Sequence, residues 1–117
     1  MDRLTIQHDR RRGVCVLRLA GTLDLVSAPK LKLALVDLTR AGSKEVVLDL
    51  SRLRSLDEVG LALVLCQARH LSHRGGRLLL VDPPAGVRDV LTGTRAAQHL
   101  TVVEAAPPPA AAQSRLP

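Results

Sequence analysis

Two short segments hold the residues whose types and spacing could do chemistry. In one, Asp57 is followed by Glu58, Val59 and Gly60, directly before an apolar run. An Asp at this place can cap a helix, and a Glu in the first turn is favoured by the helix dipole by about 0.3–1 kcal/mol. Gly60 lacks a side chain, which would let another backbone approach the helix start. These residues fit a partner-binding surface, but they also fit a well-capped helix with no further role, and local physics alone favours the latter.

The other segment is Gly21-Thr22-Leu23-Asp24, which follows an apolar run typical of a strand. In chains that alternate strands and helices, binding sites gather beyond the carboxyl ends of the strands, in the loops that lead into helices. Both segments hold this place in the chain. We therefore expect Thr22 and Asp24 to lie near Asp57 and Glu58.

Catalytic and metal-binding interpretations have little support. Ser51 and Ser55 could act as nucleophiles with a histidine as base, but the Gly-x-Ser-x-Gly turn that exposes such a serine is missing. His70 and His73 are three residues apart near the end of a predicted helix, and they lack a third and a fourth metal ligand nearby. We predict a protein that is not an enzyme and that has no catalytic residue, no metal and no cofactor.

The composition excludes further classes of function. The chain has 117 residues, of which 46% are hydrophobic, but no Phe, Tyr or Trp. Its core must therefore be aliphatic, and no aromatic ring is present to stack on a nucleic-acid base. The net charge is +6, yet the one consecutive basic run, Arg10-Arg11-Arg12, falls in a predicted turn. We predict no nucleic-acid partner.

Cysteine usage and the chain start predict a protein of the cytoplasm, and the excess of Arg over Lys together with abundant Ala indicates a GC-rich bacterial genome. Cys15 and Cys66 are isolated in apolar surroundings, which favours buried, reduced thiols. Residues 1–12 lack the apolar centre of a signal peptide. The longest apolar run, Gly60 to Cys66, is too short to span a bilayer, so no membrane insertion is expected.

Hydrophobic periodicity predicts eight elements in the order β-β-α-β-α-β-α-β. The predicted strands cover residues 4–8, 14–20, 45–50, 77–81 and 100–103. The first helix is predicted to follow Ser27 as its N-cap and to end at Gly42. The second should run from about Val59 to His73, and the third from Ala85 to Leu91. Asp9 to Gly13 is predicted as a turn, and Ser51 to Leu56 as a short connection.

This alternation predicts an α/β fold with a mixed, mostly parallel β-sheet and helices packed on it. The second helix should bury a stripe at helical spacing, formed by Leu61, Val64, Leu65, Ala68 and Leu71. A single domain is expected over residues 1–104. Residues 105–117 are rich in Pro and Ala and have nothing to bury, so they are predicted to be disordered.

An ordered set of motifs between residues 4 and 103 resembles the STAS family, the domain shared by sulfate transporters and anti-sigma factor antagonists. The matching motifs are Val16–Asp24, Ala28-Pro29, Val46–Ser51, Leu56-Asp57, Gly60-Leu61, Gly75–Leu78 and Val87–Leu91. The resemblance implies a STAS fold and a regulatory, protein-binding function.

In family members that antagonise anti-sigma factors, the Asp that corresponds to Asp57 is followed by a serine. A partner serine kinase, itself the anti-sigma factor and of the ATPase type, phosphorylates that serine. The unphosphorylated antagonist captures the kinase and frees the sigma factor, and the phosphorylated form releases the kinase. The resemblance implies that the same surface is used here. Its residues would be Thr22, Asp24, Asp57, Glu58, Val59 and Gly60.

Glu58 occupies the phosphoacceptor position, so the usual phosphorylation is not expected there. A Glu carries about one negative charge, whereas phosphoserine carries about −1.5 to −2. The chain would then resemble a permanently phosphorylated form, or be a permanently active antagonist, or have a partner that is not a kinase. A different class of function is a STAS scaffold subunit in a larger assembly, such as a stressosome-like or lipid-transport complex. A sensor for a nucleotide or a lipid is a third alternative.

The partner surface is predicted to be partly apolar and carried by the second helix. Leu63 and Cys66 lie off the predicted core stripe of that helix. Exposed apolar residues near a helix start suit contact with a partner helix or loop. We therefore expect Leu63 and Cys66 to be exposed and to contact the partner.

Overall fold

A β-hairpin with a two-residue turn opens the fold. The computed structural model describes residues 3–93 and 98–103, and its first strands are β1 (Leu4–Arg11) and β2 (Val14–Leu23). Arg12 and Gly13 have positive φ values of 52° and 82°, as both central residues of a type I′ turn require. The turn is shorter than predicted, and β1 is longer, because this tight turn lets strand pairing continue up to its edge.

Strands β2 and β3 (Glu45–Leu56) both continue past their predicted ends. Their parallel pairing runs to Leu23 and Leu56, so Ser51 to Leu56 is strand and not a connection. Two register shifts, one after Arg18 and one after Gly21, each add one residue to β3 relative to β2. In this part of β3, Leu53 and Leu56 are buried, while the polar residues between them face solvent. Those polar residues obscured the strand in the sequence.

The remaining elements are α1 (Ala28–Arg40), α2 (Glu58–His73), β4 (Arg77–Val81), α3 (Ala85–Thr92) and β5 (Thr101–Val103). The strands lie in the order β1-β2-β3-β4-β5. β1 is antiparallel to β2, and the other neighbouring pairs are parallel. Because α1 packs against α2 and α2 against α3, the helices form one layer on one face of the sheet. The predicted element order and the mixed, mostly parallel α/β sheet are confirmed.

The core between the sheet and this layer is aliphatic, as the composition requires. Of the stripe predicted for α2, Leu61, Val64 and Leu71 are buried, and the remaining two residues are half-buried against the core. Gln67 is also buried, with 6% of its surface exposed. Within the described residues, its side-chain amide has no hydrogen-bond partner. The Gln67 amide is thus buried without a hydrogen bond to any residue that the structure describes.

The predictions for the cysteines and for the chain end have different outcomes. Cys15 is buried as predicted, but Cys66 is exposed, so the prediction of a second buried thiol is wrong. The apolar residues next to Cys66 in sequence, Val64 and Leu65, lie on other sides of α2 and are buried or half-buried.

Residues 105–117, and the domain boundary predicted at 104, lie outside the described residues. Within the part of the chain that is described, no helix is both long and apolar enough to cross a membrane.

Candidate functional site

The two segments singled out from the sequence meet at the carboxyl ends of β2 and β3. The backbone N–H of Asp57 donates to the carbonyl oxygen of Leu23 at 3.2 Å. The Ser55 hydroxyl donates to Thr22 Oγ1 at 3.1 Å. The parallel pairing of Leu23 with Leu56 sets this proximity. The expected proximity of the two segments is confirmed.

Gly60 allows the close approach between the start of α2 and the end of β2. A Cβ atom at this position would lie 2.8 Å from the carbonyl oxygen of Leu23 and 2.8 Å from Cδ1 of Leu56. Both distances are shorter than van der Waals contact, so any side chain would push the two segments apart. The predicted role of Gly60 in backbone approach is confirmed.

Asp57 and Glu58 begin α2 in different ways. Asp57 has an extended backbone, and its Oδ1 accepts from the backbone N–H of Gly60 at 2.8 Å, as an N-cap does. Glu58 is exposed in the first turn, and none of the described residues gives its side chain a hydrogen bond or an ion pair. The positive end of the helix dipole favours a carboxylate there. Glu58 therefore presents a negative charge to solvent that no neighbouring side chain neutralises.

The loop between β2 and α1, residues Asp24 to Ser27, is called the Asp24 loop below. Asp24 Oδ1 accepts from the backbone N–H of Ser27 at 3.1 Å, and Ser27 Oγ accepts from the backbone N–H of Asp24 at 3.0 Å. This reciprocal pair is a capping box. The backbone N–H of Ala28 donates to the Asp24 carbonyl at 2.8 Å, as in a helical turn. Ser27 occupies the N-cap position directly before α1, as predicted, but its side chain makes no cap hydrogen bond, and the Asp24 carboxylate caps the turn three residues earlier.

Arg3 binds the same carboxylate from the other side and was not predicted as a site residue. Its Nε donates to Asp24 Oδ2 at 3.1 Å, and its Nη2 also donates to Oδ2. These hydrogen bonds, followed by the one from the Ser27 backbone, lower the pKa of Asp24 from 3.8 to about 2. The pairing of Leu4 with Gly21 in the hairpin places Arg3 there. Because its oxygens are engaged within the chain, Asp24 shapes the loop and has little capacity left for a partner.

The exposed apolar residues are mostly not those predicted. Leu63 is half-buried and packs against the core, so the prediction that it is exposed is wrong. Cys66 is exposed as the partner surface requires. Val59 is 40% exposed in the first turn of α2, and in the Asp24 loop Leu25 is 69% and Val26 70% exposed. The apolar part of the site therefore lies mainly on the loop before α1.

His70 and His73 are exposed in the last turn of α2, at the end opposite Glu58. Among residues 3–93 and 98–103, no three His, Cys, Asp or Glu side chains form a group that could hold a metal ion. The loops thus bring together the backbone hydrogen bond between Asp57 and Leu23, the exposed carboxylate of Glu58, and the exposed aliphatic side chains of the Asp24 loop and Val59. Such a surface can recognise another protein.

Comparison with known proteins identifies the family to which this fold belongs. The family model described as "Mlab, STAS domain" matches residues 6–104. A Paenibacillus polymyxa protein named Anti-sigma F factor antagonist is 29% identical over 84 residues, which is 69% of this chain and 72% of that protein. SpoIIAA in its unphosphorylated form superposes with a TM-score of 0.74 at 25% identity, over 88% of this chain and 90% of that one. Bacillus SpoIIAA in its phosphorylated form superposes with a TM-score of 0.69 at 24% identity, over 88% of this chain and 93% of that one.

The fold is a five-stranded, mostly parallel sheet with one helical layer, and its two site loops are joined by the hydrogen bond between Asp57 and Leu23. This is a small α/β domain of the STAS class. The chain belongs to the STAS domain family. The resemblance found in the motifs is confirmed.

Proposed function

We propose that the chain is a non-catalytic regulatory module of the bacterial cytoplasm that binds an anti-sigma factor in a partner-switching network. The observation that carries this proposal is the exposed apolar surface of Leu25 and Val26, which lies next to the start of α2. The Paenibacillus relative named as an anti-sigma factor antagonist, and the SpoIIAA structures in phosphorylated and unphosphorylated forms, support it.

Glu58 stands where the family resemblance places the phosphoacceptor serine. We propose that it acts as a built-in phosphate mimic that weakens capture of an anti-sigma factor of the serine-kinase type. A partner surface that fits an uncharged serine would have to desolvate this carboxylate or place it against its own groups. The positive end of the α2 dipole favours a negative charge at this position.

The test is to isolate the partner with tagged wild-type protein, identify it by mass spectrometry, and measure its affinity for purified variants. Glu58→Ser should bind about tenfold more tightly than wild type, which corresponds to about 1.4 kcal/mol. The introduced serine should also become phosphorylated when the partner and ATP are present. Asp89→Ser removes an exposed carboxylate from α3 instead and should leave the affinity unchanged.

Three results would contradict parts of the proposal. Equal binding of wild type and Glu58→Ser, with phosphorylation of the variant, would identify a permanently active antagonist. Equal binding without phosphorylation would exclude the kinase partner as well. Isolation of transporter or scaffold subunits in place of an anti-sigma factor would favour the assembly role.

A further inference from the structure

Helix α1 has an apolar stripe on the side that faces away from the core. Pro29, Leu33 and Val36 lie at intervals of three or four residues, which places them on one face of α1, and Val26 precedes Pro29 by three residues in the Asp24 loop. Val26 is 70% and Leu33 66% exposed; Pro29 is also exposed, and Val36 is half-buried. We call these four residues the α1 stripe. The opposite side of α1 buries Ala28, Leu31 and Leu35.

A surface helix normally carries polar residues opposite its buried stripe, and a helix that is apolar on both sides is normally covered on both. Single exposed hydrophobic residues need no explanation, but a contiguous apolar surface marks a contact. Leu33 is central to the stripe and contributes nothing to the core of this chain. The α1 stripe therefore has the character of a helix face that another molecule covers.

The charges beside the stripe define the chemistry of its occupant. Lys32 flanks the stripe on one side, and Arg40 lies at the C-terminal end of the same face. Lys30, on the other side, is engaged within the chain, and its ammonium donates to the carbonyl oxygen of Leu4 at 2.7 Å. Asp37, four residues after Leu33, is the one acidic residue of α1, so Lys32 and Arg40 leave a net positive charge beside the stripe. A complementary segment would have an apolar stripe flanked by carboxylates, as an acidic amphipathic helix does.

The stripe is continuous with the surface proposed to bind the anti-sigma factor. Val26 belongs to the Asp24 loop, and the strand that leads into this loop contacts the start of α2 through Leu23 and Asp57. A second copy of the chain is a poorer occupant, because four side chains fall far short of the about 800 Å² per partner that a stable interface buries. As an extension of a larger interface, the same stripe suffices.

We infer that the α1 stripe binds an acidic amphipathic helix of the anti-sigma factor, so that the partner contacts α1 along Leu33 as well as the start of α2. The inference rests on the proposed function for the identity of the partner. It adds a contact on a different helix from Glu58, and it assigns recognition to residues that do not take part in the phosphate-mimic mechanism.

Site-specific photocrosslinking tests the inference in the cells that produce the protein. A photoreactive p-benzoyl-phenylalanine is placed at Leu33, at Val59 in the first turn of α2, or at the exposed Ser72 near the end of α2 as control. Crosslinked products are identified by mass spectrometry. We expect the same anti-sigma factor at positions 33 and 59, with the position 33 crosslink on an acidic helix of the partner, and none at position 72.

The outcomes separate this inference from the proposed function. Capture of an anti-sigma factor at position 59 but not at 33 overturns the inference and leaves the proposed function intact. A crosslinked dimer of the chain, or an unrelated protein, at position 33 also overturns it. The absence of an anti-sigma factor at both positions overturns both proposals.

Affinity measurements with the purified partner provide a second readout. Leu33→Glu should weaken binding at least tenfold without changing the melting temperature, because this side chain is 66% exposed. Ser72→Glu introduces the same charge elsewhere on the helical layer and should leave binding unchanged. Lys32→Glu should weaken binding by a smaller factor that decreases as salt is added. Full affinity of Leu33→Glu would overturn the inference.

Discussion

Replacing the buried Gln67 by Met should stabilise the protein. Gln67 lies on the buried side of α2 with 6% of its surface exposed, and its amide has no hydrogen-bond partner within the described residues. In the unfolded chain the same amide is hydrogen-bonded to water. Folding therefore removes its hydrogen bonds without replacing them, and this cost disappears when the side chain is apolar.

The size of the gain follows from two opposing contributions. An unsatisfied buried polar group costs about 1–3 kcal/mol. Met is unbranched and close to Gln in length, and swaps of similar volume in a core usually cost less than about 1.5 kcal/mol. We expect the free energy of unfolding to rise by about 1–2 kcal/mol, which for a domain of this size raises the melting temperature by about 4–8 °C per kcal/mol.

Urea unfolding followed by far-ultraviolet circular dichroism measures this change. The midpoint should move to higher urea while the slope of the transition stays constant, since the surface exposed on unfolding is nearly the same. Gln7→Met is the matched control, because Gln7 is exposed on β1 and its amide is already solvated. A stability of Gln67→Met equal to or below that of wild type would refute the reasoning, because it would show that the amide has a partner in solution.

Three further predictions concern the site and its support. Gly60→Ala should lower the free energy of unfolding by about 1–3 kcal/mol, because its Cβ would lie 2.8 Å from the Leu23 carbonyl oxygen. Gly86→Ala on α3 is the control and should not lower it in the same urea titration, because a Cβ there meets nothing within 4 Å. Asp24, with its pKa lowered to about 2, stabilises the fold above pH of about 4, and this contribution is lost as the pH falls toward 2. Asp24→Asn should therefore be less stable than wild type at neutral pH, and melting curves of the two should converge near pH 2. Leu63→Glu should lower the melting temperature because Leu63 packs against the core, and an unchanged value would show that the side chain is free.

The parts of the fold that depend on neighbours in sequence were predictable. The element order follows from hydrophobic periodicity, and the N-cap of α2 follows from an Asp directly before an apolar helical run. The hydrogen bond from Gly60 to Asp57 confirms that cap. The clash that a Cβ at Gly60 would make with Leu23 confirms the close approach inferred from a glycine at a helix start.

Features that depend on strand register were not predictable in the same way. The two register shifts in the second half of β3 leave no local signal, because the buried residues there, Leu53 and Leu56, are three positions apart and break the period of two that marks a strand. The ion pair of Arg3 with Asp24 joins residues far apart in sequence and depends on the hairpin turn at Arg12 and Gly13. A prediction that had fixed this two-residue turn would have placed Arg3 beside the Asp24 loop.

Burial on α2 was misjudged because this helix has neighbours on both sides. α2 contacts α1 and α3, so its buried arc is wider than the stripe that faces the sheet. Leu63 and Leu65 fall at the borders of this arc and are half-buried against the core. The start of α1 after Ser27 was predicted, but the capping interaction was not: Asp24 precedes Ser27 by three residues, which is the spacing of a capping box, and the two residues exchange hydrogen bonds.

The aliphatic core has an optical consequence. Tight packing here is achieved with Leu, Val, Ile and Ala, without a single aromatic ring in the chain. The protein is therefore silent in tryptophan and tyrosine fluorescence, and it absorbs almost no light at the wavelengths those rings use. When it meets a partner that contains tryptophan, every change in emission reports on the partner alone. Binding of this chain can therefore be followed by the intrinsic tryptophan fluorescence of the partner, with no contribution from the chain itself.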